Sequence, residues 1–232
     1  MSFWRQLGVL LRRDVRIELR TREVLVTAGL FALVLVTLFV FSGFDERVIA
    51  HRAAPGVLWV AIAFLGTVVF GRTFQREREA QAIDALLLVP GIMDALFVTR
   101  LLLNFALLAL IETVMVPVVL ATFSIPIAPT VVPLLVVVYL GTFGFAVMGT
   151  VLSASLATVH LREVLLPIVL FPLTIPLLVA GVRATAALVA GEGLAATRDW
   201  LLLIATFNVA FLALGRWLFG EALDPDRSGR ST

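Results

Sequence analysis

Few side chains in this sequence have the types and spacing for chemistry, and those few are set in apolar surroundings. Glu112 is the one acid in the run Leu101–Phe123. A carboxylate at mid-membrane depth must face another helix or a polar cavity, or carry a proton. It reads either as a subunit contact and coupling point or as an interhelical hydrogen bond that holds the bundle together. The other dense charge lies in Arg72–Gly91, which opens with Arg-Thr-Phe-Gln-Arg-Glu-Arg-Glu and turns apolar before stopping at Pro90-Gly91. There is no cysteine, so disulfides, thiol chemistry and cysteine zinc sites are excluded. There is also no lysine: all 18 basic residues are arginine. The phosphate-binding loop of ATPases needs a lysine to reach the β/γ-phosphates, so this chain lacks that site. Neither a nucleophile triad nor a metal-ligand cluster is present, so no catalytic, cofactor or metal residue is assigned and the chain is not expected to be an enzyme by itself. The net charge of +2 gives no ground for a nucleic-acid partner.

The elements that position these groups are set by hydropathy. Of 232 residues, 61% are hydrophobic and 15% charged, where soluble domains carry about 25% charged residues. A helix crossing the hydrocarbon core needs about 20 apolar residues. Six such runs are predicted: Val24–Ser42, Ala53–Gly71 (opened by Pro55-Gly56), Leu101–Phe123, Val131–Leu152, Val164–Val182 and Trp200–Gly220. The stretch Thr113–Leu161 carries no formal charge and is too long for one helix, so Ser124–Thr130, with two prolines, is expected to divide it. Phe41-Ser-Gly-Phe44 is not a signal-peptidase site, and the first run is read as an uncleaved span. Asp94 is positioned to cap a short helix, Ala95–Arg100, leading into the third span. Arg183–Asp199 reads as an Ala/Gly-rich outer loop of weak helical pattern.

Arginine placement orients the bundle. Fourteen arginines fall in the N-terminal segment, the even-numbered inter-span loops and the C-terminal end, against four (Arg47, Arg52, Arg183, Arg198) on the other side. The positive-inside rule puts both termini in the cytoplasm. Residues 1–23 place Trp4, Leu7, Leu11 and Val15 on one helical stripe with arginines elsewhere on the wheel, which predicts an amphipathic helix at the membrane interface. It reads as an anchor for the first span that also touches a partner. The segment 72–91 suits docking to a cytoplasmic protein; a solvated charged loop with a re-entrant apolar end is the alternative. Pro167, Pro172 and Pro176 predict that the fifth span is bent, as a hinge or as a static kink, with Thr174 able to satisfy freed carbonyls. Gly141, Gly144 and Gly149 predict close helix approach in the fourth.

Four stretches resemble one family, CcmB, the membrane permease subunit of the cytochrome c maturation ABC transporter, also called haem exporter protein B. They are Phe3-Trp-Arg5 with Leu11-Arg-Arg-Asp14 and Arg16; Arg52-Ala-Ala-Pro55-Gly56-Val-Leu-Trp59-Val-Ala61; Phe74 through Pro90; and Leu170-Phe-Pro172-Leu-Thr174-Ile-Pro176-Leu-Leu178. The resemblance covers nearly the whole chain. It departs in the charged segment, where Gln81 and Ala82 replace the usual Gly and Ser/Thr and the acid is Asp84 instead of Glu. The resemblance implies one all-α permease domain of six transmembrane helices in the bacterial inner membrane, of ABC-2-like type. It implies that a separate CcmA-like ATPase carries the ATP and engages a coupling helix whose contact residues are Phe74, Arg76, Glu77, Arg78, Glu79, Asp84, Leu86, Leu87 and Pro90. CcmC-like and CcmD-like membrane subunits and a CcmE-like haem chaperone are the other implied partners, besides the lipid bilayer. Haem is the implied cargo, and its transfer to the chaperone or release from it the implied task. Arg52, Pro55, Gly56 and Trp59 form the family's entry motif; Glu112, Pro167, Pro172, Thr174 and Pro176 are the intramembrane polar and hinge candidates. His51 and His160 are read as plain interfacial side chains, not haem ligands. Two alternatives stay open: a permease of another ABC-2-type exporter, moving lipid, glycan or drug, and a non-transporting scaffold of a haem-handling complex.

Overall fold

The computed structural model describes residues 3–41, 47–79, 92–156, 159 and 161–222. Among them the order is α1 (Phe3–Thr21), α2 (Glu23–Phe41), α3 (Arg47–Glu79), α4 (Ile92–Thr122), α5 (Ile127–Ser155), α6 (Arg162–Val189), the single turn α7 (Gly193–Ala196) and α8 (Arg198–Ala222). All regular structure among the described residues is helical. Five helices are long and apolar enough to cross a bilayer, and a sixth span is reached when α1 and α2, joined at a 59° bend, count together. The chain is a polytopic all-α membrane protein.

The helices overrun the predicted spans, because a proline removes one donor and not a whole turn. Pro55 does not open the second span; it lies inside α3, with His51 and Arg52 in the preceding turn instead of in a loop. Pro117 and Pro133 likewise sit inside α4 and α5. The break between α4 and α5 is shorter than the expected Ser124–Thr130. Ser124 adopts φ 55°, Ile125 N–H donates to the Leu120 carbonyl at 2.9 Å and Ser124 N–H to that of Ala121 at 3.1 Å. This is a Schellman close, and α5 starts immediately after Pro126. The same close ends α6. Gly191 has φ 82°, and Glu192 N–H reaches the Ala187 carbonyl at 3.0 Å. The alanine-rich stretch expected as loop therefore extends α6 through Arg183 to Val189. Ala95–Arg100 is no separate helix either: Asp94 lies in the first turn of a continuous α4.

In lipid, helices associate through close packing and hydrogen bonds more than through hydrophobic burial. α5 is the centre, packed on α4, α6 and α8, with α3 wedged against α6 and α4. Its glycines are notches for rings from other helices. Phe70 of α3 seats on Gly149, and the Trp59 indole seats between Gly141 of α5 and Gly181 of α6; a Cβ at any of these would overlap the ring. Phe145 of α5 returns the contact into Gly66 of α3.

Candidate functional site

The charged end of α4 is the first concentration of functional groups. At 31 residues α4 is about 46 Å long, against a hydrocarbon core of roughly 30 Å. Its first turns therefore project beyond the apolar slab, and α1 packs along them. The face of α1 that meets α4 is not its apolar stripe. Gln6, Leu10, Asp14 and Glu18, spaced by four, are buried, whereas Trp4 and Val15 are exposed. Leu10 packs with Ile92 and Ala95, joined by Phe3. One turn on, Asp14 pairs with Arg100 of α4 at 3.3 Å, both side chains about 5% exposed, and Arg13 Nε donates to the other Asp14 oxygen at 3.2 Å. Glu18 then accepts the Leu25 N–H at 3.2 Å, tying α1 to the first turn of α2. On the other flank, Arg216 of α8 makes a bidentate pair with Asp94, at 3.0 and 2.9 Å. The helix that follows the charged segment is thus held to α1 and to α8 within its first three turns.

A polar seam runs deeper in the bundle. Glu112 is fully buried, and Thr142 of α5 donates to its Oε1 at 2.7 Å. Its Oε2 has no hydrogen-bond partner among the described residues. Asn104 donates to Thr150 at 2.9 Å. Asn208 of α8 donates to the Leu140 carbonyl at 2.8 Å, over the notch left by Gly144. Trp59 Nε1 donates to Thr185 of α6 at 2.9 Å. Each bond joins two different helices. No group of three or more His, Asp or Glu side chains gathers among the described residues.

The sequence candidates separate by depth. Pro55 and Trp59 of the entry motif are buried, Trp59 against α5 and α6, Gly56 is half-buried and Arg52 is exposed. Glu112 meets Thr142 of the next span. Pro167, Pro172 and Pro176 stay inside one continuous α6, Pro172 and Pro176 on its exposed side. Thr174 does not serve the carbonyls they free. An i→i−4 ladder loses its donors to Glu163, Ile168 and Pro172, while the Thr174 hydroxyl donates to Leu170 at 2.8 Å and Phe171 at 3.3 Å. Its side of the helix faces the core, and the orphaned carbonyls follow the prolines. Phe74, Arg76, Glu77, Arg78 and Glu79 continue α3 as helix, so the first half of the charged segment is a helical extension of a span. Asp84, Leu86, Leu87 and Pro90 lie outside the described residues, as does His160. His51 is in α3, not in a loop, and its Nε2 is buried without a partner among the described residues. Sequence reasoning missed the Asp14–Arg100 pair; the only signal was the acids Asp14 and Glu18 at i+8 and i+12 from Gln6, which read equally as a solvated face.

Comparison with known proteins places this arrangement. The family model described as CcmB protein matches residues 5–225. The chain belongs to the CcmB family. Relatives named heme exporter protein B include one from Rhodobacter capsulatus, 28% identical over 88% of this chain and 92% of the relative. Another, from Paracoccus denitrificans, is 28% identical over 92% of this chain and 96% of the relative. A third, from Bradyrhizobium diazoefficiens, is 25% identical over 80% and 83%. The CcmB match spans the entry motif, the charged segment and the proline-rich α6 together.

Proposed function

We propose that this CcmB-family chain is the membrane permease subunit of an ABC transporter complex for cytochrome c maturation, in which ATP hydrolysis by a separate CcmA-like subunit drives haem transfer or release of a CcmE-like haem chaperone. The whole chain forms one permease domain in the inner membrane with both termini cytoplasmic. The observation that carries the reading is the family match over residues 5–225. Two structural features support it. α3 continues as helix through the charged residues 72–79, so a push on that segment moves a span as a rigid rod. The segment then feeds α4, whose first turns are pinned to α1 and α8. CcmC-like and CcmD-like subunits complete the complex, ATP stays on the partner, and haem is cargo, not a resident cofactor.

The test is purification from detergent with mass spectrometry and a vanadate-sensitive ATPase assay, for wild type and for Arg76→Ala, Arg78→Ala and Asp84→Ala. An ATPase and a CcmC-like subunit are expected with wild type, and loss of the ATPase with the variants. Wild type recovered alone, or with unrelated membrane proteins, would overturn the assignment in favour of another ABC-2-type exporter or an independent membrane role.

A further inference from the structure

A groove of about 580 Å3 lies between α2 and α4, with every lining residue apolar. Val26, Gly29, Leu30 and Leu33 form one wall and Val114 and Val118 face them. Val26, Leu30, Leu33 and Val114 are each more than half exposed, so the groove opens sideways at membrane depth. Its volume falls in the roughly 300–1,000 Å3 range of small-molecule sites. Gly29 leaves it wide: a Cβ there would meet nothing within 4 Å.

Two arginines precede the α2 wall of the groove in the chain. Arg22 occupies the elbow between α1 and α2, its carbonyl accepting the Val26 N–H at 2.9 Å. It therefore sits one helical turn before Val26. Arg20 ends α1 beside it, and both arginines are exposed. The acids nearby are Glu18, which accepts the Leu25 N–H, and Glu23 in the first turn of α2. The elbow stands near the membrane boundary, since the 19 residues of α2 rise about 28 Å, close to the roughly 30 Å core. An apolar slot that opens into lipid, with exposed Arg22 four residues before Val26 of its wall and exposed Arg20 in the last turn of the preceding helix, is complementary to one class of molecule, with a hydrocarbon chain and an anionic head.

We propose that the α2–α4 groove binds an anionic phospholipid, one acyl chain lying along Gly29 and Leu30 and the phosphate held at Arg20 and Arg22. The site is independent of the transport assignment, since it rests only on the bilayer around α2 and α4. Basic side chains at a membrane surface each favour anionic lipid on the order of fivefold.

The experiment is native mass spectrometry of the detergent-purified chain, titrated with palmitoyl-oleoyl phosphatidylglycerol or phosphatidylcholine. Wild type is expected to prefer phosphatidylglycerol, by on the order of fivefold for each arginine. The double variant Arg20→Gln, Arg22→Gln should bind both lipids equally. Gly29→Leu, whose Cβ meets nothing within 4 Å and whose side chain would occupy the groove, should bind neither above the level of bulk detergent exchange. Arg5→Gln with Arg12→Gln removes the same charge elsewhere on α1 and should keep the preference. Equal binding of the two lipids by wild type would overturn the proposal. Equal loss in the Arg5/Arg12 variant would overturn it too, by showing a diffuse surface charge.

Discussion

At the residue scale, the aromatic notches say most about how this chain holds together. Trp59 meets two helices at once through Gly141 and Gly181 and donates to Thr185. Gly181→Ala should lower stability by about 1–3 kcal/mol, the usual cost of overpacking. The same change should cost clearly less in a Trp59→Leu background, because the ring it collides with is gone and the two effects are not additive. Thermal unfolding in detergent, followed by size-exclusion chromatography of the heated samples, reads both. Glu112 makes a second case. With Thr142 donating to one oxygen and the other buried without a partner among the described residues, the amide of Glu112→Gln keeps an acceptor for the hydroxyl and is neutral at every pH. Its unfolding temperature should match or exceed that of wild type. Glu112→Ala strands the Thr142 hydroxyl and should cost about 1–3 kcal/mol. A large loss in the glutamine variant would show that the carboxylate itself is needed.

At the element scale, α1 is bound by charge. A buried ion pair broken on one side leaves a charge without compensation and costs about 3–5 kcal/mol. Arg100→Ala and Asp14→Ala should each show a loss of that order, and the double variant less than the sum. Limited proteolysis after α1 reports it directly: α1 should be released in either single variant and stay docked in wild type. Asp94–Arg216 is half to mostly exposed and should count for about 1 kcal/mol or less, so Arg216→Ala leaves α8 in place. α6 carries the opposite lesson. From the sequence its three prolines read as a hinge or as a static kink, with Thr174 able to satisfy freed carbonyls. In the fold, Pro172 and Pro176 lie on the exposed side, and Thr174 bonds a different pair of carbonyls. The chain order shows only that prolines and threonine are near; which side each takes depends on where the bundle lies.

At the scale of the whole molecule, the α1–α2 elbow decides the number of crossings. Six spans put both termini on one side. Because the sequence has no cysteine, single cysteines at Ser2 and at Gly191 give a clean test with a membrane-impermeant maleimide. Gly191 should label from outside intact cells and Ser2 only after they are opened; labelling of both from one side would mean that α1 and α2 do not complete a crossing.

Composition and hydropathy were enough to recognise a polytopic all-α bundle, since runs of about 20 apolar residues suit a bilayer, and four motif stretches carried the resemblance to CcmB. The absence of lysine and cysteine settled, without coordinates, which chemistries this chain cannot carry. Tertiary structure alone decided what each polar residue does. Arg100 counted in the sequence as one more loop arginine, yet it is buried against Asp14. Asn104, Thr150 and Asn208 had no mark at all until the helices came together. The physical reason is that a span is recognised by a property averaged over its length, whereas a hydrogen bond between spans depends on rotation and depth to within a few ångströms. Those are fixed only when glycine notches, rings and neighbouring helices close on one another.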